Sequence, residues 1–241
     1  RDQSGAFTDT PYAIEWVEFS GSNATLEALN AGAIDIAVLQ APSAVLSVAN
    51  AGTPWTADDA PFLAVAAWET PGTPGFQLLV HPGSGITDVA DLAGKKVAFA
   101  KGALGHYFWA EAARAAGLSA GDVEEVILPA VDGRAAYLAG EVDALITGNR
   151  TAVMLMGEGD AESIAVSRDY TAYSTLTVVR RGLLDDPAAL AAVEDYLGRY
   201  EALHQWMAGH AAELAERMVE VMEMTPDDAL LVAETESRVR V

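Results

Sequence analysis

Two stretches of the chain share one pattern, and this repeat constrains the fold more than any other feature. They are EALNAGAIDIAVLQAP at residues 27–42 and AAYLAGEVDALITGNR at residues 135–150. In each, a helical pattern ends at a glycine, Gly32 or Gly140, which suits the left-handed conformation at a helix C-terminus, and a buried strand follows. The repeat predicts two similar lobes, each presenting the carboxyl end of a strand to a shared space where ligands bind in open α/β sheets. A chance match between two αβ units is the alternative.

Composition excludes several classes of function. The formal charge of −21 opposes binding to nucleic acid or to an anionic membrane surface. The absence of cysteine removes thiolate nucleophiles, disulfides and thiolate metal sites. The hydrophobic content of 51% is that of a globular protein, and no apolar run reaches the ~20 residues of a membrane span.

The order of predicted elements suggests two lobes joined by two crossings. A flexible connector, TPGTPG, lies at residues 70–75, and a strand at residues 175–180 would return the chain to the first lobe. We therefore predict a first lobe of residues 1–79 with 178–241 and a second lobe of residues 80–177, with a hinge between them. Other predicted elements are strands at residues 12–19, 34–39 and 62–69, and a long helix that begins at Asp186 and Pro187.

Helix N-termini recur where strands or loops end, at Ser22 and Asn23, at residues 40–43 and at residues 101–104. Converging backbone N–H groups with few titratable side chains favour the capture of a small anion, although plain helix caps are the structural alternative. The nucleotide, phosphate-loop, hydrolase and zinc-protease motifs are absent from the sequence. His106 fits a structural histidine, and no carboxylate pair stands out. We therefore predict no catalytic residue, no metal site and no cofactor.

Three segments carry a family resemblance: residues 15–42, residues 91–146 and the helical C-terminal tail. Their most specific parts are FSG…LEALNAGAID, GKKVAFAKG…HY and LPAVDGRAAYLAGEVDA. Together they resemble the periplasmic solute-binding proteins of aliphatic sulfonate, taurine and nitrate ABC importers. The resemblance covers nearly the whole chain. It implies a type II periplasmic-binding-protein fold, a ligand between two lobes, delivery to a membrane permease, a monomer, and a periplasmic or membrane-anchored extracellular location.

Departures from the family pattern bear on the ligand. Ala103 stands where members typically have serine, Gln40 replaces a frequent aspartate, and Gly148 and Asn149 replace a frequent Trp-Asp pair. Asn149 cannot pair with an ammonium group, whereas Arg150 can bind a carboxylate or sulfonate through two hydrogen bonds. We therefore predict an organic anion larger than taurine or nitrate.

The predicted ligand-binding residues follow from these patterns. They are Ser22, Asn23, Gln40, Ala41, Ser43, Gly102, Ala103, Asn149, Arg150, Tyr173 and Ser174. Family members begin with a strand and a helix that have no counterpart before residue 12. We expect either that these residues were removed or left out or that the first lobe is incomplete, and we expect an export signal to be absent from this sequence. Two alternatives stay open: an enzyme on the same fold, for pyrimidine-precursor or carbon–sulfur chemistry, and an effector-binding sensor domain.

Overall fold

The computed structural model describes residues 4–19, 21–49, 55, 56, 58–70, 73–119, 121–171 and 174–237. It divides the chain into two compact units. The first unit is Arg1–Pro71, Ser174–Leu214 and Ala233–Val241, and the second is Gly72–Tyr173 with Ala215–Val232. The lobe boundaries given above stay a prediction.

The described residues contain eight strands and eight α-helices. The strands are β1 (Ile36–Gln40), β2 (Phe62–Glu69), β3 (Phe76–Val80), β4 (Lys96–Phe99), β5 (Glu124–Ile127), β6 (Ala144–Gly148), β7 (Glu162–Val166) and β8 (Ser174–Arg180). The helices are α1 (Ser22–Asn30), α2 (Ala41–Ala49), α3 (Leu104–Ala115), α4 (Ala130–Leu138), α5 (Asn149–Gly157), α6 (Pro187–Gly209), α7 (Ala211–Met222) and α8 (Pro226–Glu236). Short 3₁₀ turns lie at Val89–Leu92, Ser167–Asp169 and Arg181–Leu183. None of these helices is long and apolar enough to cross a bilayer.

The first unit is built on a three-stranded sheet of order β1-β8-β2, in which β8 runs antiparallel to both neighbours. In the β1 ladder, Ile36 lies opposite Val179 and Gln40 opposite Thr175. The apolar side of α1 packs on this sheet, and the resulting core contains Leu26, Leu29, Ala37, Leu39, Ala44, Phe62 and Val178.

The prediction of a strand at residues 12–19 is wrong. Residues 13–19 run without a turn or bend, yet they belong to no described sheet. Alternation of apolar and polar residues favours a strand, but a strand also needs a neighbour with which to exchange backbone hydrogen bonds. None of the described strands pairs with this segment.

The second unit is built on a five-stranded mixed sheet of order β5-β4-β6-β3-β7. Strands β4, β5 and β6 are parallel, and β3 is antiparallel to β6 and β7. Since side chains alternate across a sheet, Leu78 and Val80 enter the core on one face while Leu79 enters the core on the other. The first of these cores also contains Val97, Phe99, Phe108 and Trp109, and the second contains Ala98, Tyr137, Leu145 and Leu155.

The repeat predicted from the sequence is present in the backbone. Gly32 and Gly140 both have φ of 71°. After α1, Ala33 N donates to Ala28 O at 2.9 Å, and after α4, Glu141 N donates to Ala136 O at 2.9 Å. Both helices therefore end in the same glycine-dependent motif, and the predicted left-handed glycines are confirmed.

The aspartates at matching repeat positions play different roles. Asp143 Oδ2 accepts a 2.8 Å hydrogen bond from Lys96 N, whereas Asp35 Oδ1 lies 2.7 Å from Arg180 Nη2 in an ion pair. In both cases the carboxylate joins its own strand to a neighbouring element.

Candidate functional site

Three helices of the second unit begin at the same edge of its sheet. Strands β4, β5 and β6 are parallel, and they lead into α3 at Leu104, α4 at Ala130 and α5 at Asn149. Because the carboxyl ends of parallel strands lie at one edge, the three helix N-termini face the same side of the unit.

These N-termini have no side-chain caps. The N-cap positions of α3, α4 and α5 are Ala103, Pro129 and Gly148, and no side chain at any of them accepts a hydrogen bond from the first turn. By contrast, Asp186 caps α6 by accepting from Ala188 N at 2.9 Å. The partial positive charge at an N-terminus without such a cap favours an anion.

Asn149 occupies the first position of α5 and is 6% exposed. Its Oδ1 accepts a 2.9 Å hydrogen bond from Gln77 Nε2, and Gln77 is 4% exposed. Gln77 lies opposite Thr147 in the β3–β6 ladder, which brings its side chain next to the end of β6. Asn149, a predicted ligand-binding residue, is therefore part of a buried polar pair with Gln77.

Gly148 and Arg150 are the neighbours of Asn149 in the chain. A Cβ added at Gly148 would meet no atom within 4 Å, so the backbone there borders open space. Arg150 is the second residue of α5 and is exposed.

Gly102 and Ala103 form the entrance to α3. Gly102 has φ of 76°, and its N–H donates to His106 Nδ1 at 3.3 Å, so that a ligand would compete with this histidine for the donor. The contact places the His106 proton on Nε2. The ring also stacks on Phe99 with centroids 5.2 Å apart. Among the described residues, His106 has no hydrogen bond to a second ionisable group.

Gly105 lets α3 approach the sheet closely. A Cβ at this position would lie 2.8 Å from Phe76 Cδ1 and 3.2 Å from Ile146 Cγ2. The absence of a side chain therefore allows the first turn of α3 to pack against Phe76 of β3 and Ile146 of β6.

In the first unit, two helix N-termini meet at the carboxyl end of β1. Ser22 begins α1, and its Oγ accepts a 3.3 Å hydrogen bond from Gln40 N, the last residue of β1. Helix α2 begins at the next residue, Ala41. No side chain caps α1, whose N-cap is Gly21, and the first turns of α1 and α2 contain no acidic residue.

The other predicted residues of this unit lie around the same strand end. Asn23 is exposed in the first turn of α1, and Ser43 is 2% exposed in α2. Ser174 begins β8 beside Thr175, which pairs with Gln40. Tyr173 lies outside the described residues. The structure thus brings Ser22, Gln40, Ala41 and the start of β8 together within one unit.

Sequence reasoning missed Gln77. The available signal was a polar residue inside the apolar strand FQLLV, since a buried amide requires a hydrogen-bonding partner. The identity of that partner depends on strand register, which local pattern does not supply.

Residues 2–193 match the family described as NMT1/THI5 like. The chain belongs to this family. Over 139 residues it is 39% identical to a putative aliphatic sulfonates-binding protein of Escherichia coli K12. That match covers 54% of this chain and 38% of the relative, so the matched region spans well under half of the relative's length.

Two solved structures resemble this NMT1/THI5-like chain over most of its length. The alkanesulfonate-binding protein SsuA from Xanthomonas axonopodis pv. citri, bound to MOPS, is 25% identical with a TM-score of 0.81, covering 94% of this chain and 74% of that one. The periplasmic aliphatic sulphonate binding protein SsuA from Escherichia coli is 25% identical with a TM-score of 0.78, covering 94% and 70%. The predicted family resemblance and the α/β periplasmic-binding-protein fold class are confirmed.

Proposed function

We propose that this protein is the extracytoplasmic solute-binding component of an ABC importer, and that it captures a small organic anion, sulfonate-like or larger. The observation that supports this most directly is the set of uncapped helix N-termini at the strand ends. Helices α1, α3, α4 and α5 have no side-chain cap, while α6 has an aspartate cap. A helix N-terminus whose N-cap residue has no capping side chain suits an anionic ligand, because the helix dipole and the backbone N–H groups favour negative charge there.

The names of the relatives narrow the class of anion. Two solved relatives are named for alkanesulfonates or aliphatic sulphonates, and one of them was determined with MOPS. MOPS carries a ring and is larger than taurine. The open space beside Gly148 is compatible with a ligand of this greater size.

We propose ligand-binding residues for each unit by itself. Those of the first unit are Ser22, Asn23, Gln40, Ala41, Ser43 and Ser174, with Tyr173. Those of the second unit are Gly102, Ala103 and Arg150, with Asn149 held in place by Gln77. Arg150 is the residue that can bind a sulfonate or carboxylate through two hydrogen bonds.

The rest of the proposal concerns partners and location. The protein acts outside the cytoplasmic membrane as a monomer and delivers its ligand to a membrane permease. A relative named as periplasmic supports the location. The site does not favour the enzyme alternative. Nδ1 of His106 accepts its hydrogen bond from the backbone N–H of Gly102 and not from a second ionisable group.

The first test is a thermal-shift screen with short and long alkanesulfonates, MOPS, taurine, nitrate and matched carboxylates. A ligand at 100 times its Kd stabilises by about 2.7 kcal/mol, which corresponds to roughly 5–10 °C in Tm for a chain of this size. We expect the longer sulfonates and MOPS to raise Tm more than taurine and nitrate do. We also expect the bound ligand to be recovered unchanged. Tight taurine binding would contradict the size argument, and consumption of the ligand would indicate an enzyme.

A substitution at α3 tests the role of the uncapped N-terminus. Ala103→Asp places a carboxylate at an N-cap with extended backbone (φ −103°, ψ 174°), which suits a capping side chain. We expect the ligand-free protein to gain about 1 kcal/mol while the sulfonate-induced shift shrinks, because the carboxylate occupies the donors.

Asp186→Ala is the matched control for this variant. It removes the cap of α6, so it should lower stability by about 1 kcal/mol and leave sulfonate affinity unchanged. Equal sulfonate affinity in Ala103→Asp and the parent protein would exclude α3 from the site.

A further inference from the structure

Positive charge collects at the edge of the second unit where β4, β5 and β6 end. The described segments that connect these strands to α3, α4 and α5, together with the first five residues of each helix, contain three cations, Lys101, Arg134 and Arg150. Asp132 is the one carboxylate in the same segments. With His106 neutral, two positive charges are left in excess, although the chain as a whole has a formal charge of −21.

The cations of the second unit that lie away from this edge are already paired. Each of them lies within 4.0 Å of a carboxylate. The pairs are Lys95 with Asp143, Lys96 with Glu124, Arg114 with Glu111, Arg168 with Asp169, and Arg217 with Glu220. Lys101 and Arg134 differ from them, because no described carboxylate lies within ion-pair distance of either side chain.

Arg134 also has a donor that the described residues do not use. Its Nε is buried and has no hydrogen-bond partner among them. Arg180 has a buried Nε of the same kind, but its Nη2 lies 2.7 Å from Asp35 Oδ1 in an ion pair. A buried donor without an acceptor is unfavourable, and an anion is the acceptor that best suits a guanidinium group. Arg134 is therefore prepared to receive an anion.

The place of Arg134 in α4 directs its side chain towards the strand ends. It lies three residues before Tyr137, and residues at this spacing share one side of a helix. Tyr137 Oη donates to Asp160 O at 3.2 Å, just after the end of α5, so this side of α4 faces the α5 segment. Long side chains in a helix point back towards its N-terminus, which brings the guanidinium of Arg134 towards the start of α4.

We infer that the ligand carries two acidic groups, a sulfonate and a carboxylate, and that Arg134 binds the carboxylate with support from the charge of Lys101. This inference rests on the proposed function and concerns the class of anion that the same site takes. The helix N-termini and Arg150 are the donors for the sulfonate. A ligand with two negative charges matches the two excess positive charges, whereas a single sulfonate leaves the Nε of Arg134 without an acceptor.

The test compares acids with their amides. The probes are sulfonates that carry a carboxylate two, three or four methylene groups away, together with the amide of each, which has nearly the same size and one negative charge fewer. In calorimetry at low salt, the best acid should bind the full chain at least about tenfold more tightly than its amide, as expected of a charge-assisted hydrogen bond. High salt should reduce this ratio.

The two ways in which this test can fail have different meanings. Equal affinity for every acid and its amide would overturn the inference and leave sulfonate capture standing. Failure of every sulfonate, acid and amide alike, to bind would contradict the proposed function and the inference with it.

Substitutions of Arg134 assign the second acidic group to this residue. Arg134→Met removes the guanidinium and keeps an unbranched side chain, so the acid-to-amide affinity ratio should fall to about one. The Tm of the ligand-free protein should not fall, because the Nε of Arg134 has no described partner to lose. Arg134→Lys keeps the charge and should retain part of the ratio, and Lys101→Met should lower the ratio less than Arg134→Met, because Lys101 is exposed.

Arg114→Met is the matched control, since Arg114 pairs with Glu111 on α3 and should leave the acid-to-amide ratio unchanged. An unchanged ratio in Arg134→Met would overturn the assignment of Arg134. If the Tm of the ligand-free variant were also lower, Arg134 would have a structural role instead.

Discussion

Gln77 Nε2 donates a 2.9 Å hydrogen bond to Asn149 Oδ1, and both side chains are more than nine-tenths buried. The bond ties β3 to the first residue of α5. It therefore fixes the position of a helix N-terminus that we assign to ligand binding, although neither atom of the bond needs to touch the ligand.

Gln77→Leu should destabilise the second unit by about 1–3 kcal/mol, because it leaves a buried amide without its partner. Asn149→Leu should cost a similar amount. The double variant should cost clearly less than the sum, since both polar groups are then removed. Urea unfolding of the four proteins measures the coupling. Additivity within about 0.5 kcal/mol would mean that the two side chains do not depend on each other.

Gly105 and Gly148 offer a matched pair at the same sheet edge. Gly105→Ala should cost about 1–3 kcal/mol, because its methyl group would lie 2.8 Å from Phe76 Cδ1. Gly148→Ala should be nearly neutral, since a Cβ there meets nothing within 4 Å and φ is −68°. Thermal unfolding compares the two, and Phe76→Leu should partly rescue Gly105→Ala. Equal Tm values for both alanine variants would contradict the packing argument.

Features that depend on the local chain were predictable from the sequence. Gly32 and Gly140 were predicted because a helix followed at once by a strand needs a left-handed residue. The start of α6 was predicted because Asp186 and Pro187 form a common helix start. Features that depend on a partner distant in the sequence were not predictable in this way. Residues 12–19 alternate like a strand but pair with no described strand, and the Ser22 hydroxyl, at a predicted helix start, accepts a hydrogen bond from Gln40 N.

His204 should make stability depend on pH. Its ring stacks on Trp68 with centroids 5.3 Å apart, and its Nδ1 lies 2.9 Å from Tyr200 O. Burial lowers the pKa of His204 below its ordinary value of 6.5, partly offset by that hydrogen bond. The unfolded chain therefore takes up a proton first, so stability is complete above pH 6.5 and falls as pH drops from there towards the folded pKa.

His204→Phe keeps an aromatic ring in the stack and removes the titration. The fall in stability between pH 7 and 5.5 should be shallower in this variant, by at most about 1.4 kcal/mol per pH unit for one proton. Urea unfolding at several pH values gives the difference between the two curves. Parallel curves over this range would show that His204 takes no part in the pH dependence.

Arg199 joins the start of the chain to α6. Its Nη1 donates to Ala6 O and Thr8 O, both at 2.9 Å, and its Nε bonds to Asp195 Oδ2 at 2.5 Å. The guanidinium, together with the hydroxyl of Tyr12, lowers the pKa of Asp195, while burial and the Asp195 contact raise the pKa of Tyr12 to about 12. The planar guanidinium of Arg199 thus donates hydrogen bonds to two backbone carbonyls and a carboxylate.

Arg199→Lys keeps the charge but cannot make all three contacts, because an ammonium group lacks the planar fork. We expect faster amide exchange in residues 6–12. Arg114→Lys is the matched control, because Arg114 pairs with Glu111 on the surface of α3 and should leave exchange in residues 6–12 unchanged. If Arg199→Lys leaves this exchange unchanged, the segment is held by its ring contacts, Phe7 with Tyr196 at 5.5 Å among them, and not by the guanidinium.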